Sequence, residues 1–454
     1  MGLSIVILAA GQGTRMRSVL PKVMQPLAGR PLLRHVVDTA RLLAADDVCV
    51  VYGHGGDTVK AAFAGDGLRW ALQAEQHGTG HAAQQAMPDT PDANRVLILF
   101  GDVPLLKPRT LETLVDETGS DEMSVLTVDL DDPTGYGRIL REDGRVIGIV
   151  EQKDAGETEL AISEINTGVL LCPAKCLKAW LSALRSDNAQ GEYYLTDVIA
   201  MAVADGVVVR GIKAADEEEV MGINDKRQLA TAERALQARL VDELMASGVG
   251  FADPARVDIR GKLVCGADVF IDVNAVFEGD VTLGDGVHVE SNNLIRDSVI
   301  GAGTVVHSNC HVEGANTGAD CELGPFARLR PGAELADRVK VGNFVEIKKS
   351  RIAEGSKVNH LTYIGDADIG TDVNIGAGTI TCNYDGANKH RTVIGDSAFI
   401  GSGVNLVAPV EVGKDATIGA GSTITKPAPD GELTLERSQQ VSVKGWKRPV
   451  KKDS

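Results

Sequence analysis

Beyond residue 250 the aliphatic residues fall on every sixth position. Ile394, Ile400, Leu406, Val412, Ile418 and Ile424 form one series. Leu323, Leu329, Leu335, Val341 and Ile347 form another, which continues with two one-residue slips through Ile352, Val358, Ile364, Ile369 and Ile375. A weaker series starts near Leu283. A period of six matches neither the helical 3.6 nor the strand period of 2. It predicts a β-helix whose coils are three short strands joined by tight turns, each burying one aliphatic per side. Ile-Gly-Ala-Gly recurs at 300–303, 375–378 and 418–421, supplying the small residues that tight corners need.

The first half has a different rhythm. Ser4–Ala9, Val48–Tyr52, Val96–Phe100 and Met123–Val128 are short, β-rich apolar runs. Helical stretches such as Leu32–Ala44 and Ala82–Met87 separate them. This alternation predicts an α/β domain with a mostly parallel sheet. Ligands of such sheets sit beyond the carboxyl ends of the strands. Between the halves, Leu229, Leu236, Leu240 and Leu244 recur at helical spacing with no proline, and Ser247-Gly248 ends the run. The expected division is residues 1–226, a helical linker at 227–247, and the β-helix with its tail at 248–454.

Composition sharpens this picture. Aromatics are only 4% of the 454 residues, and residues 250–430 hold six Phe, two Tyr and no Trp, as narrow coils filled by aliphatics require. The net charge of −17 makes a nucleic-acid partner an expected absence, because phosphate neutralisation needs clustered cations. Lys444, Lys447, Arg448, Lys451 and Lys452 form a basic tail, either a solvated terminus or an anion contact. No apolar run reaches the roughly 18 residues of a membrane span, so no membrane insertion is expected. Seven cysteines without paired spacing predict reduced thiols and a cytoplasmic chain.

The candidate chemistry of the first half begins at Leu8-Ala9-Ala10-Gly11-Gln12-Gly13-Thr14-Arg15-Met16, directly after a strand, with Pro21-Lys22 close behind. Amides of a glycine-rich turn can meet phosphate oxygens, and Arg15 and Lys22 would neutralise their charge. Phe100-Gly101-Asp102 ends a strand, where a carboxylate suits a hard cation or simply caps a turn. Asn224 precedes the linker helix, a position that also suits an N-cap. Gln73-Ala-Glu-Gln-His-Gly78-Thr79, Gly135-Tyr-Gly137, Val150-Glu151 and Glu164-Ile-Asn166 follow in order. The set resembles the sugar-nucleotide pyrophosphorylases. That resemblance implies a Rossmann-like nucleotidyltransferase domain and Mg²⁺ held by Asp102 and Asn224. It also implies uracil recognition by Gln73, Gly78 and Thr79, and sugar contacts by Gly137, Glu151 and Asn166. Leu8, Ala9, Ala10, Gly11, Phe100 and Gly101 would line the same site.

In the second half, the breaks in the repeat are informative. Asn359-His360-Leu-Thr-Tyr363 lies inside a coil, and Thr381-Cys-Asn383-Tyr384 opens a polar insertion running to Arg391. Insertions in a solenoid map to loops on a binding face. Both halves in order resemble the bifunctional N-acetylglucosamine-1-phosphate uridyltransferase and glucosamine-1-phosphate acetyltransferase family. The resemblance implies a left-handed parallel β-helix and makes His360 the general base toward the glucosamine amine. Arg330, Lys348, Tyr363 and Asn374 would bind glucosamine 1-phosphate. Ala377, Asn383, Tyr384, Ser402, Ala420 and Arg437 would bind acetyl-CoA. The oxyanion donor is either Ser402 or a backbone amide. A homotrimer with acetyl sites between subunits is implied too.

The expected activity is acetyl transfer from acetyl-CoA to glucosamine 1-phosphate, then uridylyl transfer from UTP to N-acetylglucosamine 1-phosphate. The product would feed bacterial peptidoglycan and lipopolysaccharide. Two rivals are a monofunctional nucleotidyltransferase with a regulatory β-helix, and a trimeric non-enzymatic scaffold.

Overall fold

The computed structural model describes residues 2–53 and 55–451. It divides into two compact units, one up to Leu236 and one from Gln237. The helix Lys226–Ala246 contains that boundary.

The first unit is built on a nine-stranded sheet. From one edge its main path runs Val209–Lys213, Met123–Asp129, Glu164–Pro173, Arg95–Phe100, Leu3–Ala9, Asp47–Tyr52 and Arg69–Leu72. Every pairing on this path is parallel except those of Glu164–Pro173, which runs against both its neighbours. All seven residues of Leu3–Ala9 are buried, as a strand covered on both faces must be. Helix Leu32–Leu42 packs through Leu32, Leu33, Val36, Val37 and Ala40, a stripe at helical spacing. Leu3–Ala9 lies between strands that follow it in sequence on either side, so the sheet changes direction of winding there. The carboxyl ends Ala9, Tyr52 and Phe100 meet at this switch point.

The second unit is a parallel β-helix. Its strands form an eleven-stranded sheet on one face and a seventeen-stranded sheet that covers the others. Stacked residues are 17 or 18 apart, as between Ser298 and Ala315 or Asn274 and Asn292. The six-residue aliphatics are the core: Leu323, Leu329, Ile347, Val358, Ile364, Ile400, Leu406 and Ile418 have no exposed surface. Both slips have one cause. The corners between Ile347 and Ile352 and between Ile364 and Ile369 are a residue shorter than the Leu329–Leu335 corner. They close through Lys349 and Asp366 in the left-handed conformation, at φ 45° and 49°. Ile352 and Ile369 therefore stay buried.

The insertion leaves this register untouched. Thr371 and Asp396 stack across it although 25 residues apart. The extra chain leaves between the strands Ile380–Cys382 and Thr392–Ile394. All seven cysteines are free, and no helix among the described residues is long and apolar enough to cross a membrane.

Truncating a stacked aliphatic should leave a cavity that neighbouring coils cannot fill. We expect Ile400→Ala to cost about 2–5 kcal/mol, read as a lowered denaturation midpoint for the β-helix unit.

Candidate active sites

In the first unit the glycine-rich turn leaves the strand Leu3–Ala9 at its carboxyl end. Gly13 has φ 60°, and a Cβ there would stand 2.5 Å from Lys22 Cβ. The turn thus packs directly on the lysine. Lys22 forms an ion pair with Asp102, and its Nζ also donates to Asn224 Oδ1 at 3.2 Å. Arg15 Nη2 donates to the same amide oxygen at 3.0 Å. Two hard oxygens and two cationic side chains therefore converge from three distant segments. Backbone pairing fixes part of this, since Ile223 N donates to Asp102 O at 2.9 Å.

Asn224 is not the cap of the long helix. Asp225 Oδ1 takes that role, accepting from the amides of Arg227 and Gln228 at 2.8 and 2.9 Å. The Asn224 side chain is consequently available to the cluster.

A cleft of about 300 Å³ adjoins these groups. Leu8, Ala9, Ala10, Gly11, Lys22, Gln73, Gly78, Thr79, Phe100 and Asp102 line it, and Gln12, Gln76 and Glu192 join them. Gln73 is buried and donates to Gly78 O at 3.1 Å. The Thr79 hydroxyl accepts from Leu195 N at 3.1 Å and keeps its own proton to donate. Gly101, Gly137, Glu151, Asn166, Arg15 and Asn224 are outside this lining. Gly137, Glu151 and Asn166 form a separate group. Asn166 N donates to Gly137 O at 2.8 Å, and Glu151 Oε1 accepts from Thr196 at 3.1 Å. Burial holds the Glu151 carboxyl above its ordinary value. Tyr136 was not anticipated; burial and then the Asp102 charge push its hydroxyl up.

The oxygen pair suits a hard divalent cation. Asp102 and Asn224 supply a carboxylate and an amide oxygen already gathered on one ammonium, and phosphates and water complete such a shell. No group of three or more His, Cys, Asp or Glu that could hold a metal occurs among the described residues.

In the second unit a charge ladder runs along one face. Arg260 pairs with Glu278 at 3.0 Å, Glu278 with Arg296, and Arg296 with Glu313 at 3.4 Å. Plus and minus alternate until the next rungs, Arg330 and Lys348, which are both cationic. Their partners lie off the ladder: Glu346 for Arg330 at 2.8 Å, and Asp366 for Lys348 at 3.3 Å. Asp366 also accepts from Asn383 of the insertion. The ladder lacks an anion at this place. Lys389, on the insertion, adds a further ammonium, and its proton affinity is lowered by Lys348.

His360 occupies the neighbouring corner. It stacks in register with Asn343. Above it the column continues through Ala377, Ser402 and Ala420, because Gly378 N donates to His360 O, Gly403 N to Ala377 O and Gly421 N to Ser402 O. Small side chains therefore line up along this edge. Arg437 stands at its end, its guanidinium 3.4 Å from where a Gly419 Cβ would lie. Tyr363 begins the next strand, with its hydroxyl 3.5 Å from Asn383 Nδ2. Tyr384 is exposed and donates to Gly386 O. Asn374 lies on the eleven-stranded face and Lys348 on the other sheet. Lys452 of the tail is outside the described residues.

Comparisons with known proteins agree with two catalytic units. Residues 5–197 match the MobA-like NTP transferase domain family, and residues 391–426 match the bacterial transferase hexapeptide family. A protein from Ralstonia nicotianae called bifunctional protein GlmU is 57% identical over 450 residues, 99% of each chain. Proteins of the same name from Azoarcus sp. and Idiomarina loihiensis are 57% and 56% identical. Those alignments cover 99% and 100% of this chain, and 100% and 99% of the relatives. The chain belongs to the GlmU family.

GlmU membership accounts for the pairing of an α/β nucleotidyltransferase unit with a hexapeptide β-helix. Asn343, Asp366, Glu346 and Lys389 were missed by sequence reasoning. Asn343 was findable, since it precedes His360 by 17 residues, one coil.

The Lys22 ammonium occupies the two oxygens that would bind a cation. Lys22→Ala should therefore bind Mn²⁺ more tightly in the absence of nucleotide, measured by electron paramagnetic resonance titration. Weaker binding would contradict the oxygen pair as the metal site.

Proposed function

We propose that this GlmU-family chain catalyses two consecutive reactions: acetyl transfer from acetyl-CoA to glucosamine 1-phosphate, and uridylyl transfer from UTP to the resulting N-acetylglucosamine 1-phosphate. The observation that carries the first is the column of small residues continuing from His360, together with a cationic break in the charge ladder on the adjoining sheet. The Lys22–Asp102–Asn224 cluster beside the cleft carries the second.

For acetyl transfer, Arg330 and Lys348 complete the ladder with the sugar phosphate as the missing anion. Acetyl-CoA lies along Ala377, Ser402 and Ala420, with Arg437 meeting a coenzyme phosphate and Asn383 and Tyr384 closing over the acetyl end. Nε2 of His360 takes a proton from the substrate ammonium. The freed amine attacks the thioester carbon, the developing oxyanion meets Ser402 or a coil amide, and the C–S bond breaks. The coenzyme thiolate leaves and takes the proton held by His360, while the amide nitrogen releases its second proton to solvent. Asn374 lies on another face from Lys348, which favours a pocket completed by a neighbouring copy. Phe326 and Phe344 support that arrangement. They are half exposed, stack 5.3 Å apart at the His360 corner, and are followed by exposed Leu361. A homotrimer would cover this stripe.

For uridylyl transfer, the sugar phosphate oxygen attacks the α-phosphate of UTP and pyrophosphate leaves. The nucleophile is already anionic, so no base is needed. Gln73, Gly78 and Thr79 hold the uracil; Gly137, Glu151 and Asn166 hold the sugar. Arg15 and Lys22 offset the triphosphate charge, and turn amides at Ala10 and Gly11 orient it. Asp102 and Asn224 would hold Mg²⁺, which supplies neutralisation of charge on the leaving pyrophosphate.

Assays of both half-reactions test this. Asp102→Ala should abolish uridylyl transfer and spare acetyl transfer, and His360→Ala should do the reverse; loss of both from either change would overturn the two-site reading. Phe344→Asp should weaken self-association by light scattering and lower acetyl transfer, leaving uridylyl transfer intact.

A further inference from the structure

His360 is exposed, and among the described residues its ring meets one side chain, Asn343, one coil earlier. Asn343 Oδ1 lies 2.9 Å from His360 Nδ1. The two residues are in strict register at the ends of paired strands, Lys340–Asn343 and Lys357–His360. The corner geometry that follows is the same in both coils, with Phe344 and Leu361 at φ 56° and 47°. Asn343 is thus held in place by the backbone ladder, independently of any substrate.

We infer that Asn343 is a positioning residue that fixes the His360 tautomer for proton abstraction. An amide oxygen accepts and cannot donate, so the proton of the neutral imidazole resides on Nδ1. The lone pair is then on Nε2, the nitrogen that does not meet Asn343. A histidine without this partner would divide its time between two tautomers and several ring orientations, only one of which is competent. Nearby charges do not duplicate the effect. Lys340 is paired with Glu322, Glu346 with Arg330, and Lys357 lies three residues back on the same strand. The following coil presents Asn374 and Ala377, neither of which titrates. The assignment rests on His360 being the base of acetyl transfer.

An amide in this place has a chemical consequence that a carboxylate would change. Asn orients the ring without adding a charge that would stabilise imidazolium. An aspartate of the same shape would also orient the ring but would favour imidazolium and raise the pH at which the base is free.

The test is a kinetic series on the full chain, with uridylyl transfer as the internal control. Asn343→Ala should lower kcat for acetyl transfer about tenfold or more, with KM for both substrates nearly unchanged. Asn343→Asp should retain kcat at its optimum and shift the acid limb of kcat/KM upward by about one pH unit. ¹⁵N spectra of the wild-type His360 ring at high pH should show the Nδ1–H tautomer, a readout independent of whether any variant folds. An unshifted acid limb in Asn343→Asp, wild-type kcat in Asn343→Ala, or an Nε2–H tautomer would each overturn the assignment. The two levels separate cleanly. If His360→Ala keeps acetyl transfer, the base itself is wrong. If His360→Ala abolishes it while the Asn343 variants behave as wild type, only the positioning role fails.

Discussion

The second unit depends on one constraint: each coil must place its inward aliphatics directly over those of the coil before. Parallel strands in register achieve this, because backbone hydrogen bonds hold neighbouring coils and the stacked side chains exclude water between them. Once the stack is fixed, every outward position also becomes a column. Charges, amides and small residues one coil apart are then neighbours as surely as residues four apart on a helix. The acetyl-transfer proposal uses three such columns: the ladder broken at Arg330 and Lys348, the corner carrying Asn343 and His360, and the track through Ala377, Ser402 and Ala420.

The first unit meets a different demand. A parallel sheet buried on both faces leaves its strand ends as the places where polar groups can gather. Lys22, Asp102 and Asn224 come from a turn, a strand end and the segment before the long helix, yet share hydrogen bonds. Electrostatics explains why they do so: Asp102 lines the cleft and needs a positive partner, which Lys22 supplies.

Much of this was legible in the sequence. The six-residue period located the β-helix because it reports the inward positions directly. The strands of the first unit were readable for the same reason, with ends moved by a residue or so: Ser4–Ala9 extends to Leu3 and Val96–Phe100 to Arg95. What escaped were contacts set by stacking rather than by composition. Asn343 has no local mark, and its relation to His360 exists only once coil length is known. For Asn224 the sequence left a cap as the alternative to a ligand role, and Asp225 took the cap, a choice decided by side-chain geometry that a sequence pattern does not contain. That Asn374 and Lys348 belong to different sheets was equally hidden.

The insertion between Ile380–Cys382 and Thr392–Ile394 enters and leaves at a corner, and the coils above and below pair as if it were absent. Such a scaffold separates the length of its loops from the length of its fold. New polar chain can be added at a corner without repacking the interior, so the reacting surface is free to diversify while the stack that supports it stays constant. In a closed globular core the same addition would displace packed side chains on several sides. A β-helix is in this sense a rack whose shelves are fixed and whose contents can be exchanged one corner at a time.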